Sequence, residues 1–245
     1  MSEYVYGINP VHEGLKNRRR KPLELLLQRD LRSRRIDELR EAAAAAGVPV
    51  RGCEKVQLER LAGNPHHQGA ILKVTPFNYA ALDELLDCWQ ASARPAFFLI
   101  LDGITDPHNF GALLRNADGA GCHGVIVTRD RGCPVTGVVD KAASGAIDHL
   151  PICQVTNLAR TLDELKKAGV WIYGLAGEAA ADLYATDLHG DMALVVGSEG
   201  KGLRPLVREH CDHLLAIPMA GGVESLNVAS AAAVALYEIV RQRHL

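Results

Sequence analysis

The sequence predicts an α/β fold in two parts: a larger carboxy-terminal domain with a mostly parallel sheet, and a smaller amino-terminal α/β domain. From residue 96 onward, short apolar runs of strand length alternate with helical patterns. The first 75 residues contain a separate, shorter α/β pattern. The chain has 245 residues, 48% of them hydrophobic and 23% charged, which is enough for one large or two small packed cores. We therefore expect domains at 1–75 and 96–245, joined by a linker at 76–95.

The amino-terminal part is predicted to contain a helix over 36–46, which Gly47 ends, and a strand over 70–74. Residues 1–75 hold 14 Lys and Arg against 9 Asp and Glu, a net charge of +5. Residues 76–245 hold 13 Lys and Arg against 20 Asp and Glu, a net charge of -7. The overall net charge of -2 therefore conceals a basic amino-terminal part and an acidic carboxy-terminal part. The basic residues that concentrate this charge are Arg18, Arg19, Arg20, Lys21, Arg29, Arg32, Arg34 and Arg35. Such a density would attract a phosphate backbone, although a solvated basic face would have the same composition.

The carboxy-terminal part is predicted to alternate strands and helices in a mostly parallel sheet covered on both faces. Its strands are predicted at 97–101, 125–128, 170–174, 194–196 and 214–217. Its helices are predicted near 109–119, 138–144, 158–168 and 204–210, with a small-residue helix over 229–233. The helix at 109–119 has Asp106 as its expected cap and Pro107 at its first position. Its polar side presents Arg115 among small neighbours, where the side chain is either a functional cation or a solvated charge.

Two loops follow strands directly, namely 197–202 (Gly-Ser-Glu-Gly-Lys-Gly) and 225–229 (Ser-Leu-Asn-Val-Ala). This order of strand, loop and helix predicts a small-molecule site in an α/β sheet. The first loop is not a P-loop, because Val195 and Gly202 occupy the positions where that motif needs Gly and Ser or Thr. Residues 119–124 match the letters of the dinucleotide motif, but they follow a helix and precede a strand. We interpret those glycines as a helix end and a tight turn.

Three separated motifs indicate a family. They are Asn109-x-Gly111-x-x-x-Arg115, the 197–202 loop, and Ile217-Pro218-Met219 followed by residues 225–229. Together they resemble the SpoU-type RNA 2'-O-ribose methyltransferases of the SPOUT class, with the nearest likeness to the bacterial 23S rRNA guanosine 2'-O-methyltransferases. The resemblance covers essentially the whole chain, since residues 1–75, with the segments 6–11 and 67–69, look like the family's L30e-like substrate-binding domain. It implies a carboxy-terminal trefoil knot, an exception to the rule against threaded chains.

The resemblance also implies S-adenosyl-L-methionine as cofactor, held by the knot loops at Gly197, Ile217 and Leu226. Gly197 would permit close backbone approach, and the two apolar side chains would form walls, although without the resemblance they would be taken for core residues. The catalytic residues carried over are Arg115, Glu199, Asn227, Asn109 and Ser225. A guanidinium is effectively always protonated, so Arg115 is expected to anchor phosphate and stabilise an incipient alkoxide. Glu199 is expected to orient Arg115 or the ribose.

Ser225 and Asn227 suit a helix start, where capping alone would explain both residue types, while the resemblance adds active-site hydrogen bonding, chiefly for Asn227. It further implies a homodimer in which Asn109 and Arg115 of one subunit meet the cofactor loops of the other. The implied substrate is 23S rRNA or a pre-ribosomal large-subunit particle. The alternatives are the same chemistry on tRNA, a non-catalytic RNA-binding or ribosome-assembly protein, and a metabolite enzyme.

Metal ions and membranes are not expected partners. Methyl transfer from a sulfonium needs no Lewis acid, and the ten histidines show no ligand spacing. The six cysteines are scattered singly, which favours reduced thiols. No apolar run approaches the length of a membrane span and the amino terminus lacks a signal-peptide layout, so a cytoplasmic location is expected.

Overall fold

The computed structural model describes residues 3–16, 20–63 and 65–244. These residues divide into two compact units. The first consists of the described residues up to Asn78 together with Val135–His149, and the second consists of Tyr79–Pro134 and the described residues from Leu150 onward. This division differs from the predicted one, which assigned all of 96–245 to one domain. The predicted linker also contributes a helix to the second unit, because the side chain of Leu85 is fully buried in that unit's core.

The first unit contains a four-stranded sheet with helices around it. Its elements are β1 (Glu3–Tyr6), α1 (Ile8–Lys16), β2 (Pro22–Gln28), α2 (Arg34–Ala45), β3 (Val50–Cys53), α3 (Lys55–Ala62) and β4 (Ala70–Val74). The strand order is β1-β4-β2-β3, in which only the β2–β3 pair is parallel. Helix α2 begins where Ser33 Oγ accepts a hydrogen bond from the backbone N–H of Ile36, and it buries Ile36, Leu39 and Ala43. The predicted helix and strand of this part are therefore both present.

The second unit is built on a seven-stranded sheet. Its elements are α4 (Leu82–Gln90), β5 (Phe97–Asp102), α5 (Pro107–Gly119), β6 (Gly124–Thr128), β7 (Ile152–Val155), α8 (Leu158–Lys167), β8 (Trp171–Leu175), β9 (Ala181–Asp182), β10 (Met192–Gly197), α9 (Pro205–Glu209), β11 (His213–Ala216) and α10 (Val228–His244). The labels α6 (Gly137–Ala143) and α7 (Ala146–His149) belong to helices of the first unit. The strand order is β7-β6-β5-β10-β8-β11-β9, and every pair is parallel.

The central strands of this sheet have the burial typical of a parallel sheet. Every residue of β5 and of β10 is buried, as expected for strands covered on both faces, which are continuous apolar runs rather than alternating ones. Helix α5 begins as predicted, with Asp106 Oδ2 accepting from Asn109 N at 2.7 Å and Pro107 in the first turn. Gly121 has a φ of 75° after the end of this helix, which confirms the interpretation of 119–124 as a helix end and turn. Within the described residues, no helix combines the length and the apolar character of a membrane span.

Arg20 corrects the predicted basic patch. Its side chain is only 3% exposed, and the guanidinium donates to both carboxylate oxygens of Asp140, at 2.5 and 2.9 Å. Asp148 lies 3.6 Å from the same guanidinium. Helices α6 and α7, which the sequence analysis assigned to the other domain, thus supply the carboxylates that compensate the charge of this buried guanidinium. Arg20 is therefore an internal ion-pair residue of the first unit, not a phosphate contact.

Arg18 and Arg19 of the predicted patch lie outside the described residues. Arg29 and Arg34 are exposed and form ion pairs with Glu54 and Glu38, at 3.2 and 3.0 Å. Lys21, Arg32 and Arg35 are exposed. The surface positive charge of this part of the chain is therefore smaller than the composition suggests, because Arg20 is buried against carboxylates from outside residues 1–75.

The Asp148 carboxyl gives a testable pH dependence. Burial raises the pKa of Asp148 from its ordinary value of 3.8 to about 6, against the lowering effect of Arg20. Between pH 3.8 and about 6, the folded chain therefore binds more protons at Asp148 than the unfolded chain does. The stability that comes from the protonated Asp148 carboxyl is fully present below pH 3.8 and is lost as the pH rises through about 6. We expect Asp148→Asn to gain roughly 2–3 kcal/mol of unfolding free energy relative to wild type between about pH 4 and pH 7. Denaturant titrations of both proteins across this range measure the difference, and parallel pH profiles would contradict it.

Candidate active site

A cavity of about 700 Å³ opens at the carboxyl ends of three adjacent strands, β10, β8 and β11. The loops that follow these strands form its walls, as the rule for ligand sites in open parallel sheets predicts. Six of the eight predicted site residues line it, namely Gly197, Glu199, Ile217, Ser225, Leu226 and Asn227. The two that are not among its described lining residues are Asn109 and Arg115.

The 197–202 loop closes on its own backbone. The backbone N–H of Ser198 donates to the carbonyl of Gly202 at 3.1 Å, and the N–H of Gly202 donates back at 2.9 Å. A Cβ at Gly197 would overlap the backbone carbonyl of Gly202 and the nitrogen of Leu203. Gly197 is therefore required by an approach of the chain to itself, whereas the sequence analysis expected an approach of the cofactor. Gly197 also lines the cavity, and the expected approach of the cofactor to its backbone stays a prediction.

Substitution of Gly197 should disrupt this loop. We expect Gly197→Ala to lower the unfolding free energy by roughly 3 kcal/mol, because the added methyl group meets backbone that cannot rotate away. Gly177 is the matched control, since it lines the same cavity and a Cβ there meets nothing within 4 Å. Thermal and denaturant unfolding of both variants measure the contrast. Equal stability of Gly197→Ala and Gly177→Ala would contradict the close approach.

Asn227 joins two other predicted residues. Its Nδ2 donates to Glu199 Oε1 at 2.6 Å and to Asn109 Oδ1 at 3.0 Å. Its Oδ1 accepts from the backbone N–H groups of Ala229 and Ser230, at 2.9 and 3.3 Å, at the start of α10. Asn227 therefore performs both of the roles that the sequence analysis weighed, the helix cap and the site hydrogen bond.

Asn109 contacts the 225–229 loop of its own chain through Asn227. Its expected meeting with the loops of a partner subunit stays a prediction. Asn109 reaches Asn227 because α5 and α10 pack side by side, with Asn116 Nδ2 donating to the carbonyl of Ala229 at 3.0 Å. The packing brings the first turn of α5 next to the residue that caps α10. Glu199 accepts a hydrogen bond from Asn227, and its expected orientation of Arg115 or the ribose stays a prediction.

Arg115 lies apart from this group, exposed on α5. Within the described part of the chain, its guanidinium has no hydrogen-bond or ion-pair partner. An arginine that is neither buried nor paired keeps all of its N–H donors available to an external anion. The predicted catalytic cation is therefore accessible, and the geometry of a single chain does not join it to the cavity.

The apolar walls of the cavity are not core residues. Leu226 is 38% exposed and Ile217 is half-buried, and both face the same space. A large apolar side chain left exposed at a cavity is typical of a ligand wall. The sequence analysis missed Glu178, which follows β8 and also lines the cavity. The sequence signal for Glu178 was the Ala176-Gly177 pair directly after a strand. In the structure, a hydrogen bond from Arg208 lowers the pKa of the Glu178 carboxyl.

The acid–base groups of the cavity are carboxylates. Glu178, Glu199 and Glu224 line it, and no Lys, Arg or His is found among its described lining residues. Among the described residues, no group of three or more His, Cys, Asp or Glu side chains could hold a metal ion. The site thus combines apolar walls, loop backbone and a few carboxylate and amide groups, which suits an organic ligand with several hydrogen-bonding edges.

Comparisons with known proteins identify the family of this chain. The model described as the SpoU rRNA Methylase family matches residues 96–237, and the one described as RNA 2'-O ribose methyltransferase substrate binding matches residues 4–80. A protein of Ralstonia nicotianae named 23S rRNA (guanosine-2'-O-)-methyltransferase RlmB is 47% identical over 99% of this chain and 96% of its own length. One of Yersinia pestis with the same name is 44% identical over 100% of this chain and 99% of its own length.

Among solved structures, the SpoU methyltransferase AviRb from Streptomyces viridochromogenes, in complex with AdoMet, aligns with a TM-score of 0.82 at 26% identity. The alignment covers 99% of this chain and 91% of that one. This likeness confirms the predicted fold class, a SPOUT methyltransferase domain preceded by a substrate-binding domain. The motifs, the cavity and the family models agree, and the chain belongs to the SpoU rRNA methylase family.

Proposed function

We propose that this chain transfers a methyl group from S-adenosylmethionine to the ribose 2'-hydroxyl of a guanosine in 23S rRNA. The observation that carries this proposal is the gathering of Glu199, Asn227 and the three carried-over cofactor residues around one cavity. Relatives named for this reaction match nearly the full length of the chain, which supports the same reaction here.

The residues around the cavity fit the cofactor. A volume of about 700 Å³ accommodates a nucleoside joined to an amino acid, and Ile217 and Leu226 supply walls for a planar base. The backbone of the 197–202 loop and the residues near Met219 offer hydrogen-bonding groups along the same wall. When bound, S-adenosylmethionine supplies an electrophilic methyl group on a sulfonium. We infer that Gly197, Ile217 and Leu226 hold it.

The chain must also activate a ribose hydroxyl, which is a very weak acid. We assign this task to Arg115, which anchors a phosphate of the RNA and stabilises the negative charge that develops on the 2'-oxygen as the hydroxyl proton passes to solvent water. A guanidinium is too weak an acid to serve as a base at neutral pH, so its role is electrostatic. Glu199, Asn227 and Asn109 form a hydrogen-bonded row beside the cavity that orients the ribose. Ser225 adds a hydroxyl to the same wall.

The first unit is proposed to bind the RNA, and the chain to act in the cytoplasm as a homodimer. Lys21, Arg32 and Arg35 are its exposed candidates for phosphate contacts. The dimer is supported by Arg115, because this residue is exposed and is not among the described lining of its own chain's cavity. In a dimer, Arg115 of one subunit would complete the cavity of the other.

The reaction is tested with purified protein, radiolabelled S-adenosylmethionine and unmodified 23S rRNA and tRNA transcripts. We expect label in the ribose of one 23S guanosine, located by primer extension at limiting nucleotide. Label in tRNA alone would overturn the proposed substrate and retain the chemistry. If naked 23S rRNA is not labelled, precursor large-subunit particles are the second substrate to be assayed, and failure on both would overturn catalysis.

The shared active site is tested by mixing two inactive variants. Arg115→Ala and Asn227→Ala subunits that exchange would form heterodimers in which one site carries both lesions and the other carries none. We expect the equimolar mixture to regain about a quarter of the wild-type rate. A mixture as inactive as either variant, with subunit exchange verified by mass, would place each complete site within one subunit.

A further inference from the structure

Asp102 is a buried carboxylate next to the cofactor cavity that none of the proposed roles uses. It is the last residue of β5, in register with Gly197 at the end of β10. Its side chain is 1% exposed. An ionised side chain is rarely buried to this extent unless it has strong partners.

Both oxygens of Asp102 bind Arg204. One oxygen, Oδ2, accepts from the backbone N–H of Arg204 at 2.8 Å. The other, Oδ1, accepts from Nε at 2.5 Å and lies 2.5 Å from Nη2. Arg204 is the second residue after the 197–202 loop and the residue directly before α9. Asp102 therefore holds the main chain at the point where the cofactor loop ends.

The two ends of the loop are held in different ways. The entrance is held by strand pairing, since β10 pairs with β5 through Gly197. On the exit side, no strand pairing among the described residues continues past Gly202, and α9 begins three residues later. The exit is held by the charge-assisted hydrogen bonds to Asp102, which are stronger than neutral ones. The loop carries Glu199, so its placement sets where that carboxylate meets Asn227.

We propose that Asp102 is a positioning residue for the methyl-transfer reaction, acting through Arg204 to hold the cofactor loop in its binding-competent conformation. This inference rests on the proposed function. Without Asp102 the loop exit is released, and only a fraction of the molecules have the loop in its binding-competent conformation. The apparent Kd for the cofactor then equals the intrinsic Kd divided by that fraction. Bound cofactor selects the competent loop, so turnover at saturating cofactor is affected less than affinity.

A purely structural role would give a different pattern. Removing one partner of a buried ion pair destabilises a protein wherever the pair lies. The first unit offers a control, since Asp140, like Asp102, is a buried carboxylate paired with an arginine, and it lies far from the cavity in sequence. The pairs differ in the arginine, because the side chain of Arg20 is buried and that of Arg204 is 39% exposed. Asp140→Ala should lower the melting temperature without changing cofactor affinity.

The test compares Asp102→Ala, Asp102→Asn, Arg204→Ala and Asp140→Ala with the wild type in the full-length protein. Calorimetric titration gives the Kd for S-adenosylmethionine, steady-state assays give KM and kcat, and hydrogen exchange follows the amides of residues 198–204. We expect Asp102→Ala to raise the Kd by about 10-fold to 100-fold, with KM rising in parallel and kcat at saturating cofactor staying within about 3-fold. Arg204→Ala should have a smaller effect, because the backbone N–H at this position still donates to Asp102. The Kd of Asp102→Asn should lie between those of Asp102→Ala and Arg204→Ala.

The outcomes separate the inference from the proposed function. Faster exchange of the 198–204 amides in Asp102→Ala, but not in Asp140→Ala, is expected. Wild-type affinity in Asp102→Ala, or a loss that Asp140→Ala shares at equal destabilisation, would overturn the positioning role. A wild-type protein that binds no S-adenosylmethionine would overturn the proposed function, and the role of Asp102 with it.

Discussion

Arg115→Ala should reduce the rate of methyl transfer about 1000-fold, the size of effect seen when a single electrostatic stabiliser of a developing oxyanion is removed. The guanidinium is exposed and unpaired within the described residues, so its loss costs little stability. Cofactor affinity should stay within about twofold of wild type, because the groups assigned to Arg115 are an RNA phosphate and the developing alkoxide, and not the cofactor. Single-turnover methylation of 23S rRNA and calorimetric titration of S-adenosylmethionine measure the two quantities separately.

Two further variants make this result specific. Arg160 is also exposed on a helix of the same unit, where it pairs with Glu164 at 2.9 Å, and Arg160→Ala should retain full activity. Arg115→Lys distinguishes simple charge from the planar fork, since lysine keeps the charge and loses the bidentate geometry. Near wild-type activity in Arg115→Lys would assign only charge to the residue. Near wild-type activity in Arg115→Ala would remove it from the mechanism.

Asn227→Ala is expected to give the second large effect, a rate reduction of about 100-fold together with a loss of about 1 kcal/mol of stability. The two losses have separate origins in one side chain. The amide nitrogen joins Glu199 to Asn109, and the amide oxygen caps α10. Methylation rates and denaturant unfolding measure them independently.

Asn227→Asp separates the two roles. Aspartate keeps the oxygen that caps α10, so stability should remain close to that of the wild type. It lacks the N–H donor and adds a negative charge beside Glu199, so the rate should still fall by about 100-fold. If Asn227→Asp were active, capping would be the residue's only contribution. If Asn227→Ala were inactive only in proportion to its unfolded fraction, the hydrogen-bonded row would have no catalytic role.

Local patterns were sufficient for most elements. The cap at Asp106 with Pro107 places the start of α5, because capping depends on neighbours within one turn. The all-buried strands β5 and β10 follow from their continuous apolar runs. Arg20 shows where such reasoning stops. A run of basic residues predicts a solvated face, and the carboxylates that bury Arg20 come from Asp140 and Asp148, more than a hundred residues later.

The sequence by itself determined the α/β class, the family, and six of the residues that line the cavity, because strand periodicity, caps and loop motifs are local in the chain. Only the tertiary structure decided how those residues meet. It joined Asn109 to Asn227 within one chain, assigned 135–149 to the first unit, and placed Asp102 against Arg204. These contacts connect residues about 100 or more positions apart, and long-range pairing depends on strand order and helix packing, which no local pattern encodes.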